Sequence, residues 1–157
     1  MHEDVKKLVS LLIEKNLTIG SCESFTAGLF GATLGSVSGV SKVYKGSLIT
    51  YATSLKTKLA HVDEQLIAQY GVMSEECAKA MALGAKKVLD CDICVSFTGN
   101  AGPDAWEGKE AGYVCFGYAD NHSVETFSQV IKLERNQLRE EAVGLMCRFV
   151  YERLTQQ

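Results

Sequence analysis

Short apolar runs of strand length alternate along this chain with segments of helical period. That alternation restricts the fold to layered α/β architectures. Val5, Leu8, Val9, Leu12 and Ile13 place one apolar face on a helix over 2–15, and Asn16 ends it. Residues 17–22 read as a strand, 24–37 as a helical stretch, 36–39 as a loop and 47–51 as a second strand. Residues 54–61 read as a helix with Ser54 as its N-cap. Ser74-Glu75-Glu76 resembles a helix start, and Ala78, Met81, Ala82, Ala85 and Val88 continue that helix with small residues suited to close packing on a sheet. Residues 93–98 form a strongly apolar strand, and 103–111 a turn-rich loop. Segments 112–119 and 124–133 read as a hairpin turning at Asp120-Asn121-His122, and a helix over 136–154 closes the chain. The expected fold is α/β, a three-layer α/β/α sandwich around a mixed, mostly parallel sheet of about five strands. No repeat, low-complexity tract or linker divides residues 1–157, so one domain is expected.

Composition removes several function classes. A net charge of −3 supplies no field for a nucleic-acid backbone, and no nucleic-acid partner is expected. No apolar stretch is long enough to cross a bilayer, so no membrane partner is expected. The charged start Met1-His2-Glu3-Asp4 lacks a signal peptide's apolar core, which points to a cytoplasmic chain with reduced thiols. The six cysteines then read as core-filling residues. Cys91 and Cys94 have redox or half-zinc spacing, but no second pair lies near them.

Ligands of open α/β sheets bind beyond the carboxyl ends of the strands. Three segments meet that condition. In Cys22-Glu23-Ser24-Phe25-Thr26-Ala27-Gly28, Ser24 lies between a strand and a helix, where free N–H groups bind a phosphate or an oxyanion. The alternative, which position alone favours, is that Ser24 or Thr26 simply caps the helix. In Tyr51-Ala52-Thr53-Ser54-Leu55-Lys56, the lysine lies near a helix start. There the dipole and burial depress its pKa, so that it accepts a proton from a serine. The alternative is a solvated surface lysine. In Ser96 to Asp104, Thr98 ends a strand and Gly99 and Gly102 permit close backbone approach. The alternative is an ordinary exit from a strand. No dinucleotide, Walker or nucleophile-elbow motif is present, and His2, His61 and His122 are far apart. The residues by themselves lead to an α/β enzyme or binding module with a serine- and lysine-rich site.

At these same segments the sequence resembles the nicotinamide-nucleotide amidohydrolase family, which is also the C-terminal domain of the competence/damage-inducible protein CinA. The family's A-E-S-C-T-G-G segment stands here as residues 22–28, its Y-S-N-x-x-K as Tyr51 to Lys56, and its G-x-V-S-E as Gly71 to Glu75. Its S/T-G-x-A-G-P stands as Thr98 to Pro103, and its G-D-R-x-x-x-R as Leu133 to Arg139. The resemblance covers nearly the whole chain in order. It implies hydrolysis of the carboxamide of nicotinamide mononucleotide, a small-molecule nucleotide, by a serine/lysine acyl-enzyme mechanism with neither metal nor cofactor. Carried over residue by residue, Ser24 is the nucleophile, Lys56 its general base, and Tyr51 a hydrogen-bonding member of the pair. Glu23, Phe25, Thr26, Gly28, Thr98, Gly99, Gly102 and Arg135 bind substrate, with Arg135 meeting the phosphate and the N–H groups near Phe25 and Thr26 holding the oxyanion.

The departures are Phe25 and Ala27 for a cysteine and a glycine, Leu133-Glu134 for glycine-aspartate, Asn100 for an apolar residue, and Ala105-Trp106 where glycines are common. Phe25, being bulky, is expected to narrow or reshape the pocket. The family's long N-terminal domain has no counterpart here, so a stand-alone form is expected, as is a homo-oligomer. Two alternatives stand beside the amidohydrolase: a non-catalytic interaction module, and an amidase for another pyridine nucleotide.

Overall fold

A computed structural model describes residues 2–157. Helix α1 (His2–Lys15) leads into strand β1 (Ile19–Glu23) and helix α2 (Leu29–Gly35). Strand β2 (Tyr44–Ile49) is followed by helices α3 (Thr53–Ala60), α4 (Glu64–Tyr70) and α5 (Glu75–Leu89). Strands β3 (Ile93–Gly99), β4 (Tyr113–Ala119) and β5 (Val124–Val130) precede the closing helix α6 (Arg135–Thr155). The sheet order is β2-β1-β3-β4-β5. β1 pairs in parallel with β2 and β3, and β4 runs antiparallel to both β3 and β5. Four strands therefore share one direction, and the sheet is mixed, as expected.

Period-two alternation sorts the central strands between two layers. Ile93, Val95 and Phe97 of β3 join the core with Val5, Leu8 and Leu12 of α1, Phe30 of α2, and Leu138, Val143 and Val150 of α6. Cys94 faces the other way, with Cys22, Ala60, Cys77, Met81 and Ala85 beneath α3 and α5. Ser96 also points to that side and donates its hydroxyl to Ala78 O at 2.6 Å. The small residues of α5 bring it close to its neighbours. A Cβ on Gly84 would collide with the Ala60 carbonyl of α3, and one on Gly117 with the Ala78 carbonyl. Ser74 caps α5 by accepting from Cys77 N at 3.1 Å, in keeping with the sequence signal.

Local expectations failed where long-range contacts overrode local pattern. The second helix starts at Leu29, not Ser24, because the Glu23 carboxylate takes the N–H groups of Gly28, Phe30 and Gly31. β2 lies at 44–49 rather than 47–51, since a register shift opposite Gly46 breaks the alternation that marks a strand. α3 has Ala52, not Ser54, at its N-cap, with no side-chain cap bond. The sequence pattern predicts no element where α4 lies. Its signal was Asp63, which accepts from Gln65 N at 2.9 Å ahead of Leu66 and Ile67.

All six cysteines are buried thiols. Burial pushes Cys22 and Cys115 up to about 11, and Cys77 and Cys147 up to about 12, against an ordinary 9.0. Above pH 9 the unfolded chain sheds protons that the folded state keeps. This contribution is full below pH 9 and is lost as pH rises through the folded values. Lys56, held low by burial, and Cys91, held low by its hydrogen bond with Cys94, act in the opposite sense, but they are two groups against four. Thermal melts at successive pH values are expected to show a midpoint falling steadily above about pH 9. A midpoint constant to about pH 11 would mean that these thiols ionise without cost in the fold.

Candidate active site

The site lies beyond the carboxyl ends of β1 and β3, where the sheet's parallel half ends. The chain leaves β1 at Glu23, whose side chain is fully buried. Its Oε1 accepts from Thr26 Oγ1 (2.8 Å), Gly28 N (3.1 Å) and Phe30 N (3.0 Å). Its Oε2 accepts from Ser21 Oγ (2.9 Å) and Gly31 N (3.1 Å). Five donors satisfy this buried carboxylate and bind the turn 24–28 to the start of α2. The turn holds Ala27 at φ 48° and Gly28 at φ 97°, a conformation suited to glycine and strained for alanine. With Glu23 capping the helix, Ser24 is released from any capping role. α2 receives no side-chain cap from its own N-cap residue, Gly28.

Ser24 sits at the floor of a cleft of about 150 Å³, lined also by Phe25, Tyr51, Gly99, Asn100, Ala101, Trp106 and Arg135. Lys56, on the first turns of α3, is only 1% exposed. Its Nζ is 3.1 Å from Ser24 Oγ and donates to Thr50 O at 2.6 Å. Burial lowers the lysine's pKa. The Cys77 and Cys22 thiols, if ionised, and the Glu107 carboxylate act the other way. Both thiols are held protonated by burial. Burial thus favours the neutral amine. In that form the contact reverses, and the Ser24 hydroxyl donates to the Nζ lone pair.

Two backbone donors stand beside Ser24. Its own N–H is bound to Phe97 O, and Ala27 N–H to Ser24 O. The N–H groups of Phe25 and Thr26 have no partner among the described residues. Arg139 fixes this stretch from α6: Nε donates to Phe25 O at 3.1 Å and an Nη to Thr26 O at 2.9 Å. Across a planar trans peptide the Thr26 N–H points opposite the Phe25 carbonyl. Arg139 thus sets the direction of a free donor next to the nucleophile.

The structure brings Ser24, Lys56, Tyr51, Phe25, Gly99, Gly102 and Arg135 together and gives several of them unexpected tasks. Tyr51 does not join the serine/lysine pair through its hydroxyl. Its ring is half exposed, its hydroxyl accepts from Arg135 at 2.9 Å, and only its carbonyl lies 3.5 Å from Lys56 Nζ. Arg135 also donates to Gly102 O at 2.8 Å, closing the cleft's rim. Four residues expected to bind substrate, Glu23, Thr26, Gly28 and Thr98, form hydrogen bonds within the protein. Glu23 and the Thr26 hydroxyl bond to each other, and Thr98, 1% exposed, donates to Val72 O at 2.7 Å. Gly28 serves the same turn, donating to Glu23. Phe25 lines the cleft, and its ring packs edge-on against Phe97 with centroids 6.4 Å apart.

Sequence reasoning passed over Arg139 and Asn100. The signal for Arg139 was its spacing, since residues 135 and 139 share one helix face. Asn100 donates to Asp104 O (2.8 Å) and Lys109 O (3.3 Å) and accepts from Gly102 N (3.0 Å), pinning the loop over the cleft. A polar residue among glycines was its signal.

The pattern of the CinA C-terminal domain matches residues 2–154. The chain belongs to the CinA C-terminal domain family. A competence-damage inducible protein of Listeria monocytogenes is 43% identical over 137 residues, covering 87% of this chain and 33% of that protein. One from Limosilactobacillus fermentum is 43% identical over 145 residues, covering 88% of this chain and 35% of that protein. The chain thus spans about a third of the length of these curated relatives. A CinA superfamily structure from Escherichia coli superposes with a TM-score of 0.88 at 27% identity, over 99% of this chain and 88% of that one. Another, from Klebsiella pneumoniae, reaches 0.96 at 24% identity over 99% and 98%, a likeness of fold. The α/β/α sandwich is the one these CinA structures share.

Proposed function

We propose that this CinA-family domain is an amidohydrolase that converts nicotinamide mononucleotide to nicotinate mononucleotide and ammonia. The observation that carries this reading is the buried Lys56 amine, without a carboxylate partner, 3.1 Å from a serine hydroxyl at the floor of a cleft. A lysine buried this way is costly unless its neutral form has a use. A non-catalytic interaction module has no need of it.

The chemistry follows from the geometry. Neutral Lys56 takes the Ser24 proton as Oγ attacks the carboxamide carbon. Thr50 O keeps the amine in place throughout. The carbonyl electrons move onto oxygen, and the free Phe25 and Thr26 N–H groups receive the oxyanion, each such donor contributing about 3 kcal/mol. The tetrahedral intermediate collapses, the C–N bond breaks, and the Lys56 ammonium returns its proton to the leaving nitrogen as ammonia. Water then attacks the Ser24 ester with Lys56 again as base, releasing the carboxylate and the free hydroxyl. Arg135, at the boundary between the cleft and an adjoining hollow of about 680 Å³, stands where the nucleotide's phosphate extends.

Ammonia release from nicotinamide mononucleotide by the purified protein tests the reading directly. Stoichiometric ammonia and nicotinate mononucleotide are expected. A folded protein that releases none from this substrate overturns the assignment, and release from a different pyridine nucleotide would point to the second amidase reading.

Arg139 supplies a further check. Arg139→Ala frees the Phe25 and Thr26 carbonyls, and displacement of an oxyanion donor by about 1 Å costs on the order of 10²-fold in rate. The expected result is a fall in kcat of that size with KM little changed. Arg139→Lys is expected to restore little, since an ammonium does not span two carbonyls as the planar fork does. An unchanged kcat would show that the turn holds itself.

A further inference from the structure

We infer that Trp106 is a specificity-determining wall of the cleft that selects carboxamides carried on a cationic heteroaromatic ring. The inference rests on the amidohydrolase reading and adds to it the feature by which this chain recognises the ring.

Trp106 is the only tryptophan of the chain, and it is 51% exposed. It lines the same cleft as Ser24. A large apolar ring left open beside a nucleophile is unfinished burial, which a ligand completes. The ring is held on a rigid support. Trp106 N donates to Lys109 O at 3.0 Å and Lys109 N donates to Trp106 O at 2.8 Å, closing a two-residue turn. Glu107 at φ 49° and Gly108 at φ 72° give that turn the left-handed form favoured in tight hairpins. The Asn100 amide binds the carbonyls of Asp104 and Lys109 from inside. The Glu107 carboxylate accepts from Val72 N at 3.4 Å from outside. Ordering cost on binding is therefore small.

The second aromatic of the cleft is Tyr51, half exposed, with its hydroxyl held by Arg135. A planar ring entering between these residues finds an apolar face and brings its carboxamide towards Ser24. Indole is the strongest of the side-chain π-faces for a cation. A pyridinium ring, which carries its positive charge within the plane, gains both stacking and charge. Neutral aryl amides gain only the first, and aliphatic amides neither.

Because Trp106 is the sole tryptophan, its fluorescence reads the site without a label. In Ser24→Ala, titration with nicotinamide mononucleotide is expected to quench the emission saturably. Ribose 5-phosphate and asparagine at equal concentration are expected to leave it unchanged. In otherwise wild-type protein, Trp106→Ala is expected to raise KM for nicotinamide mononucleotide about tenfold, by more than kcat falls. Trp106→Phe should recover part of that loss. Emission indifferent to nicotinamide mononucleotide, or a KM unmoved in Trp106→Ala, overturns the inference. If wild type releases no ammonia while quenching persists, the amidohydrolase reading fails and the ring-binding role of Trp106 stands.

Discussion

Lys56→Met is expected to release ammonia about 10³-fold more slowly than wild type, because a positioned base contributes about 10² to 10⁴ in rate. Methionine keeps the length of the side chain and removes the amine. Lys56 is 1% exposed among Cys22, Cys77 and the end of β2, so an apolar replacement fits its surroundings. The fold should therefore survive, with a stability change within about 1 kcal/mol, since removal of a buried cation offsets lost hydrogen bonds. Ser24→Ala should show a loss of the same order, and the double variant should be no worse than either alone, as for residues that act as one unit. Lys56→Arg keeps the positive charge but has no neutral form near physiological pH, so it should be equally inactive. Wild-type kcat/KM should rise with pH as the amine loses its proton. Because burial lowers the lysine's pKa, the rise should be complete below the ordinary 10.5. Steady-state rates across the pH range, compared for wild type and the four variants, decide the matter. A Lys56→Met enzyme within about tenfold of wild type would remove Lys56 from the role of base.

Glu23→Ala is expected to lower stability by about 4 kcal/mol, the largest single-residue loss foreseen here. The carboxylate is fully buried and accepts five hydrogen bonds, three of them from backbone N–H groups. Its removal leaves those donors unmet, each at about 1 to 3 kcal/mol before the turn relaxes. For a domain of this size, a loss near 4 kcal/mol lowers the melting temperature by roughly 8 to 16 °C. Glu23→Gln tests the mechanism. It retains the volume and one carbonyl acceptor, but directs an amide NH₂ at groups that themselves donate. It should fall between wild type and Glu23→Ala. Both variants should also lose turnover, since the same carboxylate shapes the turn that presents Ser24. Thermal unfolding with a melting temperature within about 2 °C of wild type would show that water replaces the carboxylate without cost.

The elements most visible in the sequence were those whose pattern is local. α1 repeats its apolar residues at helical spacing, and its observed bounds agree with the reading. β3 is a continuous apolar run, the mark of a strand covered on both faces, and its first six residues are buried. The cap of α5 was legible because Ser74 and its partner Cys77 are three residues apart. Boundaries were lost where a distant group intervened. The start of α2 depends on a carboxylate in the preceding strand, and the bounds of β2 on a register shift against β1. Ser24 and Lys56 are legible in the sequence as candidates, through residue type, place after a strand or at a helix start, and family motif.

Local pattern carried the kind and order of every helix and strand but α4, the α/β/α layering and the residues offered at the carboxyl ends of the strands. These depend on periodicity and on capping, which act over a few residues. The bonding partner of each of those residues follows from the packing of the whole chain. Thr98 is bound to Val72 and Arg135 to Tyr51, while Arg139 reaches Phe25 across 114 positions of sequence. Which of two polar groups becomes internal glue and which is left free in a cleft depends on strand register and helix rotation. Those are set by how the whole core packs, and no local pattern carries them.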